Sequence, residues 1–340
     1  MAGSLSAPAS ADEPALASQT VTMVSMLHTT AGAGTGPEAN DTDLRLIALL
    51  EQDPRVTVLE LATRLGCSRT AAKHRLDRLI EQGTVRVVGL ADDGLLGRSV
   101  IALLKMSVSR PPGSIAASLL EHAEVTWVAT TSAVTTVLAQ VAFPDNFSLS
   151  QFVDRSVRSL PGVERVFVDV VVAVLNLKRI DGEQNNAWMT SDRSRPAPDD
   201  VDRSIIEQLR RDGRTPFAKL AEVSGLSTPA ARQRALRLMA DGRVRLRTII
   251  DPVAAGLPAT GQVRVSVRGS VAGVAERIAA MPGVHYVVRT FGSRDIHAVF
   301  RCASIDDLLE ALARVAALDG VLETDFFEFV SESIKNPVWA

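Results

Sequence analysis

The sequence DTDLRLIALLEQDPRVTVLELATRLGCSRTAAKHRLDRLIEQG at residues 41–83 returns 159 positions later as DVDRSIIEQLRRDGRTPFAKLAEVSGLSTPAARQRALRLMADG at residues 200–242. From residue 43 to residue 97, 19 of the 55 positions carry the same residue as the position 159 further along, without a gap. Solenoid repeats have periods of roughly 20 to 50 residues, which is much shorter. The chain therefore contains a duplicated unit of domain size, and two-fold pseudo-symmetry between the copies is expected.

Each copy of this stretch predicts three helices with a tight turn before the third. Ser68 and Ser227 stand where the third helix needs an N-cap, and Gly83 and Gly242 stand where it ends. Two helices joined by a glycine-containing turn form a helix-turn-helix. The short Val-rich segments that follow, 85–88 and 244–247, predict strands that would make each unit a winged helix-turn-helix.

The remainder of each copy predicts strand, helix, strand, strand, helix and strand, the order of a ferredoxin-like unit with both helices on one face of the sheet. The open sheet face would need a partner, because an uncovered Val-rich surface is an association site. The predicted fold class is α+β, with two tandem copies of a winged helix-turn-helix domain followed by a ferredoxin-like βαββαβ domain. The predicted parts are a disordered segment 1–40, winged helix-turn-helix domains 41–92 and 199–251, ferredoxin-like domains 98–177 and 259–330, a linker 178–198 and a tail 331–340.

The composition excludes several classes of protein. The 340 residues are 46% apolar with a net charge of −2, so any basic surface must be local. The two cysteines lie in different halves without a Cys or His at zinc-ligand spacing, which predicts neither a disulfide nor a metal site and fits a cytoplasmic protein. No apolar run approaches the roughly 18 residues of a membrane helix.

A local basic surface does occur on the third helix of each copy. Residues 68–90 contain five basic and two acidic residues, and residues 227–250 contain six and one. The first turns of a recognition helix read base edges, and Arg, Gln, Ser and Thr suit that contact, whereas arginines on a wing suit phosphates. A solvated basic face is the alternative for one helix, but two matched copies favour double-stranded DNA. The predicted DNA-binding residues are Ser68, Arg69, Thr70, Lys73, His74, Arg86, Ser227, Thr228, Arg232, Gln233, Arg245 and Arg247.

These residues resemble the leucine-responsive/asparagine regulator (Lrp/AsnC) family of transcription factors. The resemblance rests on the order and spacing of motifs such as Leu61-Ala62-x-x-x-Gly66-x-Ser68, Arg75-x-x-Arg78-Leu79 and Asp212-Gly213-Arg214, and it covers both copies. It implies a sequence-specific DNA-binding regulator, a homo-oligomer without a cofactor, that responds to an amino acid or related small metabolite. In that family the effector binds near a Gly-x-x-Asp loop of the ferredoxin-like domain.

The second copy matches this loop and the first does not. The resemblance implies an effector site at Thr290, Phe291, Gly292, Ser293, Arg294 and Asp295, where the Asp295 carboxylate would meet an ammonium group and Gly292 would allow close backbone approach. The first copy carries Ala133 and Thr136 at the Gly and Asp positions, so it is expected to be structural. A simple turn at Gly292 capped by Asp295 is the alternative.

The same body also resembles the siroheme decarboxylases, which makes an enzyme the second hypothesis. His285 and Tyr286 would then serve as proton donors, and Arg289 and Arg294 would hold substrate carboxylates. The first copy has Thr126, Trp127, Thr130 and Thr135 in their places, and the charge on the third helices has no purpose in this hypothesis. No nucleophile triad, phosphate loop or metal cluster occurs, so the prediction is a regulator without catalytic residues.

Overall fold

The computed structural model describes residues 41–91, 97–177 and 197–334. We call residues 41–177 the first half and residues 197–334 the second half. The predicted disordered segment 1–40 lies outside the described residues, as do residues 178–196 of the predicted linker and residues 335–340 of the predicted tail.

Each half begins with three short helices, as the repeat predicts. The Oγ atoms of Ser68 and Ser227 accept hydrogen bonds from the backbone N–H groups of Ala71 and Ala230, so both predicted N-caps are confirmed. The second helix of each half ends at a glycine in the left-handed region, Gly66 or Gly225, where a side chain would be strained. The bounds are α1 Asp41–Gln52, α2 Val58–Leu65 and α3 Arg69–Glu81, and then α6 Asp200–Arg211, α7 Phe217–Ser224 and α8 Thr228–Ala240.

The strands that follow the helices do not form wings. Strand β1, Val85–Leu90, pairs antiparallel with β6, Arg245–Ile250, of the other half, from Val85 opposite Ile250 to Leu90 opposite Arg245. Each strand thereby satisfies its backbone groups with the equivalent strand of the second copy instead of with a hairpin of its own. The predicted wing is therefore wrong, and its strand is one half of a ribbon that joins the two helical units.

The rest of each half has the predicted βαββαβ order, and the α+β class is confirmed. Helix α5 is prolonged by a π-helical turn over Val153–Val157. The bounds are β2 Val100–Val108, α4 Pro112–Leu120, β3 Val125–Thr131, β4 Thr136–Phe143, α5 Asn146–Phe152 and β5 Val163–Leu177, and then β7 Ala259–Val267, α9 Val271–Ala279, β8 Val284–Phe291, β9 Ile296–Cys302, α10 Ile305–Ala316 and β10 Val321–Ile334.

The eight strands close into one barrel in the order β10-β3-β4-β2-β5-β8-β9-β7, in which β10 pairs with β7. Each half supplies four strands, and the halves meet where β5 pairs with β8 and β10 pairs with β3. Closure leaves no unpaired sheet edge. The sheet face that needed a partner is thus covered by the other half of the same chain.

Two hydrophobic cores hold the helices to the outside of this barrel. Met106 and Leu119 lie in the core of the first half, and Val265 and Ile278 lie in that of the second. Because side chains alternate along a strand, the neighbours of these core positions, such as Lys105 and Arg264, face the interior of the barrel. In the described ranges, no helix is long and apolar enough to cross a membrane.

Candidate nucleic-acid interface and ligand sites

The outward faces of α3 and α8 carry the side chains that the sequence predicts for base contacts. The N-cap serines 68 and 227 use their hydroxyls to hold the helix start. The other predicted positions project from the first two turns, so the structure leaves them open to a partner and their base contacts stay a prediction. The exposed residues are Arg69, Thr70, Lys73 and His74 on α3 and Thr228, Arg232 and Gln233 on α8.

Part of the basic charge on these helices is structural. Asp43 on α1 accepts hydrogen bonds from Arg75 at 2.7 Å and Arg78 at 2.8 Å. Burial would raise the pKa of Asp43, but these two guanidinium groups hold it below its usual range. In the second half, Arg234 pairs in the same way with Asp202 at 2.7 Å. The basic residues of the third helices therefore divide into a set that locks α1 to the recognition helix and a set that faces outward.

The repeat carried a signal for this lock. Asp43 and Asp202 occupy equivalent positions, as do Arg75 and Arg234, and both pairs are separated by 32 residues. An opposite charge pair preserved in both copies of a diverged repeat indicates a contact. Both arginines had been included in the local basic charge predicted to face DNA, and the structure assigns them to this contact instead.

The three arginines predicted on wings lie on the opposite side of the ribbon from the helices. Val85 and Ile250 of the ribbon belong to the helical core, whereas Val88, Leu90 and Ile249 pack on the barrel. Alternation along each strand puts arginines 86, 245 and 247 on the barrel side. The guanidinium of Arg86 donates to the carbonyl of Ile334 on β10 at 3.0 Å. The wing on which their predicted placement for phosphate contacts depended does not form.

A reciprocal contact joins the two helical units beside the ribbon. Arg55 donates to the carbonyls of Gly213 and Thr215 at 2.9 and 3.0 Å, and Arg214 donates to those of Pro54 and Val56 at 2.7 and 2.9 Å. Burial lowers the pKa of both arginines. The contact is isologous, as expected for a two-fold pseudo-symmetric pair. The sequence shows that Arg55 and Arg214 are equivalent in the repeat, but it does not show that they join the two helical units.

The predicted effector loop in the second half is held by internal hydrogen bonds. The hydroxyl of Thr290 donates to the carbonyl of Arg294 at 2.7 Å, and the Asp295 carboxylate accepts from the N–H of Val267 at 2.8 Å. Arg294 forms an ion pair with Glu323 at 2.9 Å, and Phe291 is 80% exposed. The Asp295 carboxylate thus binds the neighbouring strand β7, and effector binding by this loop stays a prediction.

A carboxylate from the first half enters the same loop. Asp169 on β5 is 1% exposed and accepts hydrogen bonds from the backbone N–H groups of Ser293 and Arg294. A Cβ at Gly292 would lie 2.5 Å from the carbonyl oxygen of Val168. The close approach expected at Gly292 is thus made by β5 of the other half. Asp169 could not be recognised from the sequence, because its partners in this loop lie 124 and 125 residues away.

Asp169 belongs to a charged network inside the barrel. It accepts from Arg264 at 2.7 Å and contacts His297 Nε2 at 3.0 Å, and Arg264 also reaches Asp325 at 3.1 Å. Burial would raise the pKa of Asp169, but the hydrogen bonds from His297 and Arg264 hold it well below its usual range. Burial lowers the pKa of His297. Lys105, the equivalent of Arg264 in the first half, lies over the rings of Phe167 and Phe327 at 5.0 and 5.3 Å.

The residues that the decarboxylase hypothesis groups into one site have different neighbours in the structure. A β-bulge lies between Val284 and Tyr286, and the buried Tyr286 packs under Val88 and Leu90 of the ribbon. Burial lowers the pKa of His285, as do the charges of Arg301 and Arg247, whereas burial raises the pKa of Tyr286. A phenol whose pKa is raised is a weaker proton donor. Arg294 is bound at the other end of the strand to Glu323 and Asp325.

Comparisons with known protein families match four parts of the chain. Residues 40–86 match a winged helix-turn-helix DNA-binding model, residues 199–239 an AsnC-type helix-turn-helix domain, residues 260–339 the Lrp/AsnC ligand binding domain, and residues 111–184 the PF0864 C-terminal dimeric alpha+beta barrel domain. These matches fall on both helical units and both ferredoxin-like units.

Individual relatives are transcriptional regulators of about half this length. The HTH-type transcriptional regulator AldR of Mycobacterium tuberculosis is 32% identical over 143 residues, which cover 42% of this chain and 72% of that protein. The HTH-type transcriptional regulator FL11 of Pyrococcus furiosus is 28% identical over 125 residues, which cover 36% of this chain and 83% of that protein. One half of this chain is therefore similar to most of one such regulator.

A solved structure matches nearly the whole chain. The crystal structure of the siroheme decarboxylase NirDL superimposes with a TM-score of 0.58 at 15% identity and covers 88% of this chain and 94% of that chain. Its complex with an iron-uroporphyrin III analogue gives a TM-score of 0.57 and covers 85% and 91%. At this identity the likeness is one of fold.

Proposed function

This chain belongs to the Lrp/AsnC family of transcriptional regulators, and we propose that its two halves together act as one two-headed DNA-binding unit in the cytoplasm. The observation that carries the proposal is the pair of capped helices α3 and α8, whose outward faces bear polar and basic side chains. The ribbon and the Arg55–Arg214 contact support it, because they join the two helical units through backbone pairing and buried hydrogen bonds.

We further propose that the DNA site is asymmetric. The exposed pair Lys73 and His74 on α3 is replaced by Arg232 and Gln233 on α8, and Lys73 is tied to Asp77 at 2.5 Å whereas Arg232 lies 5.8 Å from the ring of Phe217. Operator symmetry mirrors protein symmetry, so two unlike recognition helices select two unlike half-sites. Further assembly of chains into a homo-oligomer remains part of the proposal, although one chain already presents two helices.

A small-molecule effector is the second part of the proposed function. We assign it, on the family resemblance, to the loop Thr290–Asp295, whose Ser293 and Arg294 N–H groups donate to Asp169. An effector carboxylate would have to compete with Asp169 for these donors. Thermal-shift screening of the wild type and of Asp295→Ala against amino acids tests the loop, since a ligand that binds only the folded state raises its stability. A shift that survives Asp295→Ala would place the effector elsewhere.

The enzyme remains the second candidate because of the whole-chain likeness to NirDL. We favour the regulator, since His285, Tyr286 and Arg294 have different partners and the basic outward faces of α3 and α8 have no purpose in a decarboxylase. Decarboxylation of a tetrapyrrole by the purified chain would decide for the enzyme.

Selection of binding sites from random DNA, followed by titration of variants, tests the DNA-binding proposal. Each of Lys73→Ala and Arg232→Ala should raise the Kd of the selected site by about 5- to 150-fold, since one base contact is worth about 1–3 kcal/mol. Each should also lower the slope of log K against log salt by about 1 if it contacts a phosphate as well. Arg86→Ala serves as the matched control, because its guanidinium faces the barrel and should leave that slope unchanged.

The outcomes separate the two parts of this proposal. An unchanged Kd for the Lys73→Ala/Arg232→Ala double variant would refute the assignment of α3 and α8 as recognition helices. Recovery of perfect palindromes alone would refute the pairing of the two unlike helices on one site.

A further inference from the structure

A cavity of about 450 Å³ lies between the ribbon and the barrel. The end of β6 and the turn that follows it form one wall, including Ile249 and Asp251. Strand β10 forms the opposite wall from Phe329 to Ile334, and Arg86 and Arg301 project from β1 and β9. Ligand sites in proteins occupy roughly 300–1,000 Å³, so the space suits a small organic molecule.

The cavity has more hydrogen-bond donors than its own acceptors satisfy. Arg301 is 7% exposed, and in the part of the chain that the structure describes its buried Nε has no hydrogen-bond partner. Its Nη2 reaches Glu332 only at 3.4 Å. Arg86 directs one donor to the carbonyl of Ile334. The Nε of Arg301 is therefore a buried donor that no acceptor of the cavity wall satisfies.

The acceptors in the wall are engaged by neighbouring groups. Glu332 accepts from the indole N–H of Trp127 at 2.7 Å, and Asp251 accepts from the N–H of Ala254 at 3.1 Å. Burial of a guanidinium donor without an acceptor is unfavourable, and a carboxylate is the acceptor that best matches its fork. Apolar groups from Ile249, Pro252 and Phe329 supply a surface for the rest of a ligand. We propose that this cavity binds a small organic carboxylate with an apolar body, and that Arg301 is its main anchor.

The first copy does not repeat this site. The position equivalent to Arg301 is Ala142, 159 residues earlier, and it is buried at 1% exposure in the strand pairing of the first half. The position equivalent to Thr260 in the cavity wall is Ile101. The anchoring guanidinium therefore exists on one side of the pseudo-two-fold only, and the stoichiometry is one ligand per chain.

The position of the cavity gives the ligand a route to the DNA-binding units. Thr248 on β6 donates its hydroxyl to the carbonyl of Leu50 on α1 at 2.6 Å, and the N–H of Asp251 donates to the carbonyl of Thr84 at 2.9 Å. A ligand held between Arg301 and the wall at Ile249 thus contacts both the barrel and the ribbon that carries the helices. This regulatory consequence rests on the proposed DNA-binding function, whereas binding of the carboxylate does not.

Isothermal titration calorimetry with 3-phenylpropanoate, 4-methylpentanoate and the neutral 3-phenylpropanamide tests the site on the full chain. We expect at least one carboxylate to bind with a stoichiometry of one and the amide to bind at least tenfold more weakly. Arg301→Gln should reduce carboxylate affinity at least tenfold, and Arg301→Lys should recover part of it. The matched control is Arg314→Gln, which removes an exposed arginine paired with Glu310 and should leave the affinity unchanged.

Several results would overturn the site. These are equal binding of amide and carboxylate, full binding by a folded Arg301→Gln variant with an unaltered circular dichroism spectrum, or no binding of either carboxylate at 10 mM. Loss of binding in Asp295→Asn with full binding in Arg301→Gln would also overturn it, because the ligand would then occupy the loop Thr290–Asp295. The affinity of the ligand-free chain for its operator is measured separately. Absence of DNA binding would refute the proposed function, whereas the calorimetric result on the carboxylate would still stand.

Discussion

Replacement of Asp169 by Asn should lower the free energy of unfolding more than replacement of an exposed carboxylate does. The Asp169 carboxylate is the shared acceptor of Arg264, His297 and the loop at Ser293, and it joins β5 of one half to β9 and the β8–β9 loop of the other. Asparagine keeps one acceptor oxygen but removes the charge. Asp325 would then be the remaining carboxylate beside Arg264, whose side chain is 2% exposed and also donates to the Ser293 hydroxyl.

The expected magnitude follows from the burial of this pair. Removal of one partner of a buried ion pair costs about 3–5 kcal/mol, because it leaves an uncompensated charge. Because the contact with Asp325 remains, we expect Asp169→Asn to cost about 3 kcal/mol, at the lower end of this range. We expect Asp169→Ala to cost about 5 kcal/mol, at the upper end. The exposed pair between Asp154 and Arg158, at 3.3 Å, provides the control. Asp154→Asn should cost less than about 1 kcal/mol.

Urea unfolding at pH 7, monitored by far-ultraviolet circular dichroism, measures these differences as changes in the free energy of unfolding. The pH dependence gives an independent check. Because the pKa of Asp169 is lowered in the folded chain, its stabilisation is complete above its unfolded pKa of about 3.9 and is lost as the pH falls below that value. The difference between wild type and Asp169→Asn should therefore shrink in acid.

A loss of unfolding free energy in Asp169→Asn at pH 7 no greater than that in Asp154→Asn would contradict the stabilising role of the buried carboxylate. A difference between wild type and variant that stays constant from pH 7 to pH 3 would show that the charge of Asp169 is not what stabilises the junction between the halves.

Two further predictions concern the contact between helical units and the two histidines whose pKa values are lowered. Arg55→Ala and Arg214→Ala should each lower the free energy of unfolding by about 2 kcal/mol or more, since hydrogen bonds from charged donors contribute about 1.5–3 kcal/mol. The double variant should lose less than the sum of the two single variants. Additive losses in urea unfolding would contradict a shared contact. The free energy of unfolding should decline as the pH falls below about 6.5, because the pKa values of His285 and His297 are lowered and only the unfolded chain binds their protons there. A melting temperature that is constant from pH 7.5 to pH 5 would contradict this.

Local sequence patterns were sufficient for the elements and much of the recognition face. The serines at 68 and 227 mark helix starts through hydrogen bonds that span three residues, and the 159-residue repeat supports each assignment twice. The exposed positions of α3 and α8 follow from helical periodicity once the buried stripe is known. The strand order of each half followed for the same reason, because Val-rich runs and intervening helices are local features.

The faces taken by the ribbon arginines could not be predicted in this way. A strand with alternating Val and Arg has two possible orientations, and its orientation depends on what it pairs with and packs against. The sequence suggested a hairpin within each half, whereas β1 pairs with β6 at a separation of about 160 residues. Arg86 therefore faces the barrel and lines a cavity instead of facing DNA.

The sequence by itself determined the duplication, the capped helices α3 and α8 and the βαββαβ order, because each depends on local spacing or on direct repetition. Only the tertiary structure decided that the two halves close one barrel, that Asp169 enters the loop at Gly292, and that the buried Nε of Arg301 finds no acceptor among the described residues. The physical reason is that these features depend on pairs of residues from different halves or layers. Burial and hydrogen bonding select such pairs in three dimensions, and they leave no periodic trace along the chain.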